Sequence, residues 1–190
     1  MFLKSKVVII HGAYGSSDEN WFPWLRDRVR ELGHEAHVPS FPTPDGQSLA
    51  SWIEVFAQQV GPLTVDTILV GHSLGPGFIL NLLERTEVAI RGTFLASGFL
   101  GNLGLPDFDK INESFVCREF DWEKIRRNAG KVHVYNSDSD PYVPLAKGVE
   151  LARNLGVELT VIHNGGHLNS AGGYSTFPQL LNDLKDLVGN

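Results

Sequence analysis

At 190 residues the chain has the length of one ordinary domain, roughly 100–200 residues, and can bury a core without disulfides or metals. Its formal net charge of -6 and 42% hydrophobic content describe a soluble globular protein, with no chain-wide electrostatic reason to bind nucleic acid or an anionic membrane. The single cysteine, Cys117, has no second cysteine to make a disulfide, metal or redox motif, and reads as a packing thiol.

The opening stretch "MFLKSKVVIIHG" holds only a brief apolar run, too short for a signal core. No later segment approaches the roughly 18 continuous apolar residues of a membrane span, so a cytoplasmic location is the default. Within that opening, "KVVII" from Lys6 predicts the first strand. "NWFPWLRDRVRELG" follows with Trp21, Trp24, Leu25, Val29 and Leu32 along one helical stripe, and Gly33 as a C-cap. "EAHVP" from Glu35 predicts a second strand, and "QSLASWIEVFAQQVG" a second helix with Leu49, Trp52, Ile53 and Phe56 on one face, closed by Gly61. "TILVG" from Thr67 is a third strand, followed by a helix over Gly77 to Arg85, then "GTFLAS" from Gly92 as a fourth strand. The stretch from Gly98 to Phe120 reads as irregular. A helix over Asp121 to Asn128 carries the basic run "KIRR" as a solvated face. "KVHVYNS" from Lys131, a helix over Pro144 to Leu155, "ELTVIHN" from Glu158 and a helix over Phe177 to Val188 complete the chain.

The strand runs are β-branched and nearly continuously apolar, as parallel strands buried on both faces are. Strands alternating with helices predict one α/β domain over residues 1–190, with a mostly parallel six-stranded sheet and helices on both faces. In such sheets chemistry collects at the carboxyl ends of the strands.

At the end of the third strand, Gly71-His72-Ser73-Leu74-Gly75 fits G-x-S-x-G between strand and helix, the context that makes the motif meaningful. A serine held out on so sharp a turn needs glycines two before and two after it, where side chains would collide. Pro76 is tolerated in the helix's first turn. The competing reading makes Ser73 a plain N-cap.

A serine hydroxyl needs a base, and the base an orienting carboxylate. In this architecture they follow in the order Ser, acid, His. Of the seven histidines, His11, His34, His37 and His72 precede or abut the serine, and His133 precedes the acid. His163 falls on the last strand, in a structural role, which leaves His167 in "NGGHLNS" as the base. "VYNSDSDPYVP" offers Asp138 and Asp140 as the acid. Asp140 is favoured, held at a helix start before Pro141, and Asp138 stays open. An oxyanion would be held by the Leu74 amide and by that of Ala13 or Tyr14 in "HGAYGSS". That loop lacks G-x-G-x-x-G and the Walker lysine pattern, so no nucleotide cofactor is expected, and the chemistry requires no metal. Tyr14, Trp21, Phe22, Phe99 and Leu100 are candidates for an acyl pocket.

With "HGAYGSS", "GHSLG", "SDSDPYVP" and "NGGH" in this order, the chain resembles the α/β-hydrolase superfamily. More narrowly, "DENWFPWLRDRV" and "DPYVP" resemble the small lid-less serine hydrolases grouped with retinoblastoma-binding protein nine and its bacterial relatives. The resemblance implies a sheet of order 2-1-3-4-5-6, no lid domain, and Ser73, Asp140 and His167 as nucleophile, acid and base acting on a small acyl substrate. Transfer of the acyl group to an acceptor other than water, or a binding protein that keeps the fold, are the alternatives. A protein partner is not legible in the sequence.

Overall fold

The computed structural model describes residues 4–189. Six strands, β1 (Lys6–Ile10), β2 (Glu35–His37), β3 (Thr67–His72), β4 (Gly92–Ala96), β5 (Lys131–Ser137) and β6 (Leu159–Ile162), form one sheet of order β2-β1-β3-β4-β5-β6. All neighbours are parallel, with Ile10 opposite Gly71 and His72 opposite Ala96. The expected order and fold are therefore found.

Among the described residues, seven α-helices connect or flank the strands: α1 (Phe22–Glu31), α2 (Leu49–Gln59), α3 (Leu74–Arg85), α4 (Pro106–Val116), α5 (Trp122–Asn128), α6 (Leu145–Leu155) and α7 (Pro178–Val188). Successive strand residues point to opposite faces. Val7, Ile9, Ile68, Val70, Phe94 and Tyr135 meet Trp21, Phe22 and Leu25 around α1, and Leu180 and Leu184 of α7. Their neighbours Val8, Ile10, Leu69, Leu95 and Val134 meet Trp52 and Phe56 of α2, Phe78 and Ile79 of α3, Phe115 of α4 and Leu151 of α6. Both faces are covered, which explains why the strands read as unbroken apolar runs.

The stretch from Gly98 to Phe120 is corrected by α4. Pro106 opens that helix, Asp107 and Asp109 occupy its first turn, and the Asp109 carboxylate accepts amides from Leu103, Gly104 and Leu105 at 2.7–3.0 Å. Its exposed face is polar and its apolar stripe short, so glycines upstream mask the period. Cys117, just past its end, is exposed and lies 2.9 Å from Asn102 Oδ1, so it is not a packing thiol.

Helix α3 starts at Leu74, directly after Ser73, earlier than the expected Gly77. A Cβ on Gly75 would lie 2.5 Å from the Ile10 carbonyl oxygen, so glycine lets the helix start press onto β1. This contact seats the first turn of α3 at the carboxyl edge of the sheet.

Candidate active site

Ser73 sits at the N-cap of α3 with φ 59° and ψ -105°, a conformation that L residues rarely adopt, and its side chain caps nothing. The plain N-cap reading therefore fails. Its amide donates to the Ala96 carbonyl at 2.9 Å, extending the β3–β4 ladder one residue beyond the strand. On Gly71 a Cβ would fall 2.8 Å from Gly75 C and Pro76 N, the collision that the glycine bracket avoids.

His167 lies in the loop after β6, and the loop after β5 holds it there. Asn164 N donates to Asp138 Oδ1 at 2.8 Å, Gly165 N to Ser137 Oγ at 2.9 Å, and Gly166 N to Ser139 Oγ at 3.2 Å. The His167 carbonyl accepts from His72 Nε2 at 2.8 Å and Ser97 Oγ at 3.2 Å. The next carbonyl, that of Leu168, accepts from Trp21 Nε1 at 2.9 Å. The imidazole thus hangs on a backbone pinned on both sides.

Asp140 Oδ2 stands 2.7 Å from His167 Nδ1, and Asp140 Oδ1 accepts the amides of Tyr142 and Val143 at 2.9 and 3.0 Å. Its side chain is fully buried. Burial alone would raise this carboxyl's pKa, but the His167 hydrogen bond and the two amides outweigh it and hold the value below the ordinary range. A carboxylate accepts only, so His167 Nδ1 carries the proton and Nε2 is left as the basic nitrogen. The helix-start reading of Asp140 is corrected: α6 begins at Leu145 with Pro144 as N-cap, and Asp140 closes a turn ahead of it.

Asp138 bonds elsewhere. Its Oδ2 lies 2.6 Å from His163 Nδ1, on a ring that is largely exposed just beyond the end of β6. His163 is thus off the strand on which the sequence puts it.

Two further histidines shape the site, and neither stands out in the sequence. His72 is buried, and desolvation first, then the neighbouring His167, lower its pKa to about 3, so it stays neutral and its Nε2 donates to the His167 carbonyl. His11 Nδ1 donates to the Gly12 carbonyl at 2.8 Å while its Nε2 accepts from Phe41 N at 3.0 Å. Burial lowers its pKa too. By gripping the Gly12 carbonyl, His11 turns the other side of that peptide, the Ala13 N–H, the opposite way. Tyr14 N is already committed to Thr43 Oγ1 at 2.7 Å, whereas Ala13 N has no protein acceptor among the described residues.

Ser73, His72 and His167 line one cavity of about 420 Å³, together with Gly12, Ala13, Tyr14, Glu19, Asn20, Leu105, Phe108, Tyr142, Val143 and Asn169. A Cβ on Gly12 would lie 3.1 Å from Ser73 Oγ, so the loop after β1 presses directly on the serine. Of the expected pocket residues only Tyr14 is there. Trp21, Phe22 and Phe99 are buried in the core, and Leu100 borders a separate groove beside Cys117. The apolar wall comes instead from Leu105 and Phe108, on and before α4, and from Tyr142, whose ring meets the His167 ring edge-on at 5.2 Å between centroids.

A family model for serine hydrolases matches residues 7–186. YdeN of Bacillus subtilis (strain 168) is 33% identical over 178 residues, covering 93% of this chain and 92% of that protein. The crystal structure of the B. subtilis ydeN product superposes with a TM-score of 0.90 at 32% identity, covering 98% of this chain and 100% of the other. Serine hydrolase RBBP9 of Rattus norvegicus is 24% identical over 187 residues, covering 97% of this chain and 96% of its own. The chain belongs to the serine hydrolase family of RBBP9 and YdeN.

Proposed function

We propose that this hydrolase cleaves small acyl esters, or related amides, through an acyl-enzyme on Ser73, with His167 as base and Asp140 as its orienting acid. The observation that carries the reading is the 2.7 Å contact between Asp140 and His167 Nδ1 behind a cavity that Ser73 and His167 line together. In the first half-reaction Ser73 Oγ adds to the substrate carbonyl as His167 Nε2 takes its proton. That proton passes to the leaving alcohol or amine as the carbonyl reforms. Water, deprotonated by the same nitrogen, then releases the acid and returns the proton to Ser73. The amides of Leu74 and Ala13 donate to the oxyanion, and the positive end of α3 adds to the same field. Cavity volume supports a small substrate, since about 420 Å³ lies near the lower end of the roughly 300–1,000 Å³ of small-molecule sites.

Labelling with a fluorophosphonate tests this. Folded wild-type protein should label and Ser73→Ala should not; equal labelling of both, or none of either, overturns the assignment.

A further inference from the structure

Among the described residues that wall the cavity, Glu19 is the sole aspartate or glutamate, and there is no lysine or arginine. Glu19 is half-buried, its carboxylate accepts from Asn20 Nδ2 at 3.2 Å, and no ion pair among the described residues includes it. Glu19 Oε1 tucks against the turn that abuts the serine: a Cβ on Gly15 would lie 2.7 Å from it and 3.0 Å from the Gly12 carbonyl oxygen. A carboxylate at a cavity wall with no cation to balance it sets a negative potential where the substrate must sit, and low-dielectric walls strengthen it. The mouth adds two half-exposed rings, Tyr14 and Tyr142, whose faces favour a cation.

We infer that Glu19 selects substrates carrying an ammonium group and disfavours those carrying a free carboxylate. The inference rests on the hydrolase reading above, because it concerns the cavity around Ser73. A cationic group within reach of Glu19 gains Coulomb attraction in both the bound and transition states, so kcat/KM rises mainly through KM.

The test uses two matched pairs, with the charge on either side of the scissile bond: leucine methyl ester against methyl 4-methylpentanoate, and butyrylcholine against 3,3-dimethylbutyl butyrate. Within at least one pair, Glu19→Gln should lower the ratio of kcat/KM for the cationic over the neutral ester by about tenfold. Glu19→Lys should lower it further. In the wild type, added salt should depress kcat/KM for that cationic ester more than for its neutral partner. Ratios unchanged by Glu19→Gln in both pairs overturn the inference, while continued turnover of neutral esters, lost in Ser73→Ala, keeps the hydrolase reading intact. Absence of all ester turnover in the wild type would instead sink the reading beneath it.

Discussion

His72 Nε2 donates to the carbonyl oxygen of His167 at 2.8 Å, and the two rings meet edge-on with centroids 4.8 Å apart. The residue before the serine thus grips the backbone of the proposed base, across 95 positions of sequence. The turn at Ser73 and the loop of His167 are coupled directly.

Replacing His72 should therefore weaken activity through position rather than proton transfer. His72→Phe leaves the His167 carbonyl with Ser97 alone and should lower kcat about tenfold or more, while costing roughly 1–3 kcal/mol of stability. His72→Gln, which keeps a donor, should recover part of both. Steady-state kinetics beside urea melts of the two variants separate these effects.

Under the proposed mechanism Asp140→Asn turns an amide toward His167 Nδ1 and favours the wrong tautomer, so kcat should fall on the order of 10³–10⁴-fold. Asp138→Asn breaks only the contact with His163 and weakens one loop tether, and should cost about tenfold or less. Comparable losses in the two variants would contradict the assignment of the acid.

The backbone at Ser73 stores strain. With φ at 59°, glycine is the residue that relieves it, so Ser73→Gly should be more stable than Ser73→Ala by about 1 kcal/mol, both variants being inactive. Equal denaturation midpoints would argue against stored strain at Ser73.

Acid should destabilise the fold through buried and partly buried imidazoles. His11, His34, His72 and His133 all have pKa values lowered from the ordinary 6.5, chiefly because burial penalises the cation. The unfolded chain then binds protons that the folded one refuses, so stability is whole above about pH 6.5 and drains as pH falls toward the folded values. His72, lowered to about 3, alone accounts for roughly 2–3 kcal/mol lost by about pH 4.5. Asp140, whose folded pKa is lowered, adds stability that is present above its unfolded value and is also lost on acidification. Urea midpoints at about pH 7.5 and 4.5 should differ accordingly, and the difference should shrink in His72→Gln.

Strand runs, helix stripes and the glycine-bracketed serine were legible in the sequence because each depends on neighbours a few residues away: side-chain alternation, helical period, backbone room at Gly71 and Gly75. Ser73 and His167 stand out as candidates for the same reason, one from a local motif and the other from its place after the last strand. Helix α4 escaped because its apolar stripe is short, and with it went Leu105 and Phe108 of the cavity wall. Only the tertiary structure shows which histidine each of Asp138 and Asp140 meets, for the two stand close together in one turn yet contact His163 and His167 respectively. It also turned Trp21, Phe22 and Phe99 into core and gave His11 and His72 their hydrogen bonds. Those outcomes depend on how parallel strands far apart in sequence align their carboxyl ends, and on hydrogen bonds between loops that no local pattern encodes.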